Sequence, residues 1–66
     1  MPTITVQGPP ITDVDVKRGF VKALTDAAEA AYGIHRDAYV VLLKENTPDN
    51  VGVGGELLVD RHSSGT

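Results

Sequence analysis

Few residues in this chain have the types and settings that chemistry requires: Pro2, His35, His62 and the neighbouring Ser63 and Ser64. Pro2 follows the initiator methionine and opens the alternating run Thr-Ile-Thr-Val. Proline has no backbone N–H to give to a sheet ladder, so it suits the first residue of a strand. Removal of Met1, usual ahead of proline, adds a second property: the Pro2 nitrogen becomes a free secondary amine, a base and a nucleophile. Apolar neighbours desolvate the ammonium form of such an amine and lower its pKa. A base tuned near the working pH is an efficient proton shuttle. Its natural task is to take a proton from carbon beside a carbonyl and return it elsewhere on the conjugated system.

The other candidates carry less. His35 and His62 lie far apart, with no HExxH spacing and no cysteine beside them, so no metal site is expected. His35 reads as a solvated loop residue after Gly33. Ser63 and Ser64 stand in a small polar tail without a positioned base, which leaves a Ser-His-acid triad unsupported. The run Gly-Val-Gly-Gly at 52–55 raises the question of a phosphate cradle. It lacks GxGxxG and a following Lys-Ser or Lys-Thr, and too little chain follows Gly55 for a crossover unit. A hairpin that packs closely on a neighbour is the reading those glycines support.

The frame around these residues is small. A chain of 66 residues is one domain, and a domain of that size buries a modest fraction of its surface. Disulfides, a structural metal or oligomerisation are the usual supports. There is no cysteine, so oligomerisation is the support that remains. A net charge of −3 and a pI near 5.0, with six scattered Lys and Arg, give no basic stripe for nucleic acid. No apolar run approaches a membrane span and the first residues do not read as a signal peptide, which together point to the cytoplasm.

Four pieces follow along the chain. Residues 3–7 alternate polar and apolar, placing Ile4 and Val6 on one face of a strand. Gly8-Pro9-Pro10 ends it. Thr12 and Asp13 offer N-cap side chains, with Asp15 in the first turn, for a helix from Val14 to about Tyr32 closed by Gly33. Its apolar stripe is Val16, Phe20, Leu24, Ala27, Ala28 and Ala31, with Arg18, Lys22, Asp26 and Glu29 opposite and Lys22 paired to Asp26. The run Ala-Tyr-Val-Val-Leu-Leu-Lys-Glu then reads as a strand covered on both faces. Pro48 and Asp49-Asn50 mark a turn before a short hairpin and a brief strand from Leu57 to Val59. Residues 62–66 form a polar tail expected to fray.

Strand, helix, strand implies a right-handed parallel crossover. One helix covers one face of the resulting sheet, and the chain offers no second helix for the other. If Val41 and Leu43 face the helix, Val40 and Leu42 need a different partner, or the reverse, and another copy of the same chain is the one inferred.

Pro2 ahead of an alternating strand, the single helix, the hydrophobic second strand and the C-terminal "VGVGGE" together resemble the 4-oxalocrotonate tautomerase family over residues 2 to 61. The resemblance implies an α/β fold: a single tautomerase-like domain over 1–61 built as a β-α-β protomer with parallel strands and a C-terminal β-hairpin. Protomers of this kind assemble by sheet extension into dimers and commonly into a homohexamer, a trimer of dimers. It also implies a cofactor-free isomerase in which Pro2 is general base and acid for keto-enol tautomerisation of an enol or 2-keto acid such as 2-hydroxymuconate.

At the positions where the family carries two substrate-binding arginines, this chain has Thr12 and Val40, and Val51 stands where an aromatic residue precedes the hairpin. Thr12 donates one hydrogen bond and Val40 none, so a dianionic substrate loses its charge-assisted pairs. Lys44 and Arg61 are the substitutes favoured as substrate-binding cations, with Lys17, Arg18 and Arg36 as further possibilities, and Val51 as a pocket wall. Lys44 stands about 13 Å along the strand from Val40 and so does not simply take its place. The same fold also admits a non-catalytic homo-oligomeric binding or scaffold protein, or a related hydratase or dehalogenase.

Overall fold

The computed structural model describes residues 1–63, with side chains through Arg61. Strand β1 spans Thr3–Gly8. Its side chains alternate as the sequence predicts: Ile4 and Val6 are half-buried, while Thr3, Thr5 and Gln7 are exposed. Helix α1 spans Val14–Tyr32. Asp13 caps it from an extended backbone, its Oδ1 accepting the Asp15 N–H at 2.8 Å. At the other end Gly33 takes φ +71° and donates its N–H to the Glu29 carbonyl at 2.9 Å. That left-handed turn satisfies a carbonyl the helix would otherwise leave open.

Strand β2, Val40–Glu45, lies parallel to β1 in a register running from Thr3 opposite Val40 to Gly8 opposite Glu45. The Val40 N–H donates to the Pro2 carbonyl at 3.1 Å and the Asn46 N–H to the Gly8 carbonyl at 2.8 Å, extending the ladder at both ends. Val41 and Leu43 share the face of Ile4 and Val6 beneath α1, and Leu43 lines a cleft there with Phe20 and Ile11. Val40, Leu42 and Lys44 share the opposite face with Thr3, Thr5 and Gln7. Among the described residues no further element packs over that face, and Leu42 is 45% exposed.

The helix meets the sheet through Phe20, Val21, Leu24 and Ala28, together with Lys17, Thr25 and Glu29, all half-buried. The expected stripe is therefore right at Phe20, Leu24 and Ala28 and wrong at Val16, Ala27 and Ala31, which are exposed. The physical reason is width. The apolar arc of α1 spans roughly 200° at 100° per residue, more than a two-stranded sheet can cover. Val14, Val21 and Thr25 overhang the β2 side, where they line a groove with Val41 and Leu43. Val16, Ala23, Ala27 and Ala30 lie on the other flank of the helix, away from β2, and are exposed. The expected solvated face is also corrected at Glu29, which is half-buried against Arg36 at 3.1 Å.

After β2 the chain leaves this body. A 3-10 turn at Pro48–Asn50 leads into β3, Gly52–Val53, and β4, Glu56–Leu57, which pair antiparallel. Gly54 and Gly55 join them with φ of +61° and +84°, the two consecutive positive values that a tight two-residue hairpin turn demands. The strand expected over Leu57–Val59 and the expectation of no second helix are both corrected: helix α2 begins at Leu58 and runs through Ser63. By Leu57 the partner strand is exhausted. The Leu58 N–H donates to the Val51 carbonyl at 2.8 Å, and beyond Val51 lies the 3-10 turn with no further ladder to offer. The tail expected from residue 62 thus starts inside α2, and residues 64–66 lie outside the described part.

These C-terminal pieces form an arm that packs chiefly on itself, α2 against the turn and β4. The protomer measures 47 × 25 × 16 Å with a radius of gyration of 15.7 Å, against about 11 Å for a compact chain of this length. Among the described residues no side chain is fully buried. No helix is long and apolar enough to cross a membrane among those residues.

Gly33→Ala is expected to cost about 1–2 kcal/mol, because a Cβ disfavours the left-handed region while nothing lies within 4 Å to clash with it. Gly19→Ala, in the open middle of α1, should instead gain about 0.5–1 kcal/mol. Urea unfolding at one fixed chain concentration distinguishes the two.

Candidate functional site

Pro2 is half-buried at the head of β1, its carbonyl held by Val40, while Met1 ahead of it is 87% exposed. The backbone at Pro2 is thus fixed on one side and open on the other. Val40 stands beside Thr3 on the uncovered face, so this end of the sheet presents aliphatic surface with a hydroxyl next to it. Tyr39 lies immediately before Val40. Its hydroxyl donates to the Ile34 carbonyl at 2.8 Å and its ring stands 6.2 Å from that of Tyr32, which braces the entry to β2. His35 caps the short 3-10 turn at Arg36–Ala38: its Nδ1 accepts the Asp37 N–H at 3.2 Å. It is therefore a turn residue as well as an exposed one.

The remaining sequence-derived site residues fall elsewhere in the protomer. Thr12 is exposed in the loop after β1, at the far end of the sheet from Pro2. Lys44 is on the same face as Val40 but opposite Gln7, about 13 Å along the strand. It makes no ion pair among the described residues, whereas Arg18 pairs with Asp15, Arg36 with Asp26 and Glu29, and Lys17 with Glu45. Val51 and Arg61 belong to the arm. Val51 is half-buried, and the Arg61 Nε lies 3.6 Å from a Glu56 carboxylate oxygen. One protomer therefore brings Pro2 and Val40 together and keeps Thr12, Lys44, Val51 and Arg61 apart from them. Neither of the two clefts described for the protomer is lined by Pro2. Among the described residues no group of His, Cys, Asp and Glu is gathered as a metal site would need.

Sequence reasoning missed Glu45. Its two carboxylate oxygens are divided between the Ile11 N–H at 2.8 Å and the Lys17 Nζ at 3.1 Å. One side chain thereby ties the loop carrying Thr12 to the end of β2 and to the first turns of α1. The Ile11 hydrogen bond foremost, then Lys17, hold the carboxyl below its ordinary value. No short-range pattern signals this contact, since its partners lie 34 and 28 residues away. Asp26 is likewise held low, first by its hydrogen bond from Lys22 and then by Arg36, which confirms the Lys22–Asp26 pair at 3.0 Å.

A depressed folded-state pKa contributes stability that is complete above the unfolded value and lost as pH falls through the folded one. For Glu45 the loss therefore begins as pH drops below 4.5. Glu45→Gln keeps an oxygen for the Ile11 N–H but cannot ionise. The difference in urea midpoint between wild type and Glu45→Gln should be largest near neutral pH and shrink toward about pH 3. A difference independent of pH would show that the carboxylate charge is not what holds the loop.

Comparison with known proteins places this geometry. The family profile described as tautomerase enzyme matches residues 2–61, beginning at Pro2. No curated protein matches. Among solved structures, DmpI from Archaeoglobus fulgidus is 46% identical, with 89% of this chain and all of that one covered, at a TM-score of 0.77. TomN, a 4-oxalocrotonate tautomerase homologue in the tomaymycin biosynthetic pathway, is 28% identical over 98% of this chain and all of its own, at 0.85. A 4-oxalocrotonate tautomerase isozyme from Methylibium petroleiphilum, 24% identical over 96% of this chain and 98% of its own at 0.83, shares the fold. With a parallel β-α-β unit, a C-terminal hairpin and a profile match over nearly its whole length, the chain belongs to the tautomerase family of enzymes.

Proposed function

We propose that this chain is a cofactor-free keto-enol tautomerase in which Pro2, freed by removal of Met1, is both general base and general acid. The observation that carries the reading is the placement of Pro2: half-buried at the head of β1, fixed through its carbonyl, with the family match beginning at that residue. Its nitrogen accepts the hydroxyl proton of a bound enol as the carbonyl forms and the double bond shifts. The resulting ammonium delivers the proton to the distal carbon, so no atoms or electrons are gained or lost. Substrates are enols or 2-keto acids, with 2-hydroxymuconate as the representative. Its two carboxylates find a neutral Thr12 and Val40, so binding falls to Lys44 and Arg61, with Val51 as an apolar wall.

The site is completed by other copies, and the assembly proposed is a homohexamer made as a trimer of dimers. Three features support self-association: the absence of any fully buried side chain among the described residues, the sheet face left open at Leu42, and the small apolar flank of α1 away from β2, on the side of the outer β1 edge. A two-fold axis through that edge pairs β1 with its copy antiparallel. Centred on Thr5, such pairing sets Pro2 opposite Gly8 of the second copy. It also brings the loop of Thr12 from the far end of one sheet to the Pro2 end of the other.

The test is ketonisation of 2-hydroxymuconate by the Met-free protein beside Pro2→Ala, with intact mass confirming the free N-terminus. Loss of a general base costs typically about 10²–10⁴-fold, and that fall is expected without a change in assembly mass. Equal rates in the two proteins, or Met1 retained so that the Pro2 nitrogen is an amide, would overturn the mechanism and favour a scaffold role.

A further inference from the structure

We infer that Glu45 is a positioning residue for the Pro2 site: its carboxylate pins the loop of residues 9–12 that, on the reading proposed above and resting on it, stands beside Pro2 of the second copy. The reason begins with a shortage of hydrogen-bond donors. Pro9 and Pro10 have no backbone N–H, so the first donor after Gly8 is that of Ile11. The Ile11 N–H donates to the Glu45 Oε2 at 2.8 Å. Among the described residues this is the one hydrogen bond that residues 9–12 make.

That single contact locates the whole loop. Two consecutive proline rings fix φ at both positions and make the segment stiff. Its joint with the sheet is Gly8, a residue type with wide backbone freedom, and a Cβ there would find nothing within 4 Å. A stiff segment on a free joint is placed by whatever holds its other end. Pro9, Pro10 and Thr12 are exposed in the protomer, which leaves their surfaces for a neighbour's substrate, while Ile11 is half-buried on the anchored side.

The anchor itself is built in. Glu45 closes β2 and stands opposite Gly8 in the parallel register, so the sheet fixes its backbone where the loop departs. Its other oxygen accepts from the Lys17 Nζ at 3.1 Å, which joins the same carboxylate to α1. The side chains of this pair are 33% and 28% exposed, against 71% and 84% for Arg18 and Asp15. Water and salt therefore weaken the Lys17–Glu45 pair less than they weaken an open surface pair. Lys17 serves the clamp rather than the substrate.

Two consequences at Pro2 follow from a pinned loop. A wall that touches the substrate equally in its ground and transition states sets KM and leaves kcat alone. A wall that excludes water from the Pro2 nitrogen disfavours the ammonium form and lowers its pKa. Releasing the loop should raise both KM and that pKa.

The test uses the full chain with Pro2 as its first residue, as wild type, Glu45→Gln and Glu45→Ala. For each, kcat and KM for 2-hydroxymuconate are measured at a pH where Pro2 is the free amine, and the Pro2 nitrogen is titrated by NMR on isotope-labelled proline. Glu45→Ala is expected to raise KM about tenfold, the scale of one charge-assisted hydrogen bond, with kcat changed less than about twofold. Its Pro2 titration should move upward, toward that of an exposed amine. Glu45→Gln keeps an oxygen for the Ile11 N–H and loses the ionic hold of Lys17, so it should lie between the other two in both readouts. A Glu45 that serves stability alone would lower the urea midpoint and move neither readout. That result in folded Glu45→Ala of wild-type mass would overturn the inference. Should Glu45→Ala fail to fold, the same result in Glu45→Gln overturns it. Turnover that survives Pro2→Ala sinks the proposed catalysis, while the Pro2 titration, which needs no substrate, still reports on the loop. Turnover that depends on Pro2, with KM and titration indifferent to Glu45, refutes the positioning role alone.

Discussion

A parallel pair of strands has two faces and two outer edges, and one helix covers one face. Every other feature of this protomer follows from that shortage of cover. The Val41 and Leu43 side of β2 is sheltered by α1, whereas Leu42 on the opposite side remains 45% exposed. The helix in turn carries a wider apolar arc than the sheet can occupy. With no fully buried side chain among the described residues, the hydrophobic gain that normally outweighs chain entropy is incomplete in a single copy. On the proposed assembly, association is part of folding and stability depends on protomer concentration.

Local signals in the sequence located the parts that depend on local physics. The alternation of Thr3–Gln7 reports a strand because side chains there reverse face at each residue. Asp13 and Gly33 report the helix ends because an extended cap and a left-handed closing residue have strong chemical preferences. The unbroken run through Val40–Leu43 reports a strand with two apolar faces, and two such faces require cover that one helix does not supply. What the sequence concealed depends on distance or on competition. Glu45 clamps Ile11 and Lys17 across a long stretch of chain. The Leu58 turn into α2 depends on where the pairing strand runs out, which no periodicity in Leu57–Val59 reveals. Val16, Ala27 and Ala31 were read as facing the protomer's own sheet because a periodicity marks an apolar face without naming what covers it.

The same limit governs the candidate site. Pro2 is legible because the chemistry proposed for it rests on its place directly after Met1, and Val40 is brought to it by the parallel register. Thr12 and Val51 follow from family resemblance, Lys44 and Arg61 are this chain's possible substitutes for the arginines that it lacks, and the fold of one protomer distributes the four over the far end of the sheet and the arm. Residues that meet only across a boundary between copies leave no spacing rule in a single sequence. Among the cations, Lys44 differs from its peers in making no ion pair among the described residues. It stands at the end of the sheet that an antiparallel partner would carry toward Pro2.

On the proposed reading, assembly and catalysis are linked through the proton affinity of one amine. Pro2 is half-buried in the lone protomer, which leaves water able to solvate its ammonium form. A second copy laid against the β1 edge removes part of that water and, with it, part of the free energy that favours protonation. The share of free amine at a given pH then rises. It gains a substrate wall from the same contact. A chain this short cannot enclose a base within its own core, so it places the base at a terminus and leaves the enclosure to its neighbours. The proline ring suits that task because its fixed backbone angle orients the nitrogen before any partner arrives.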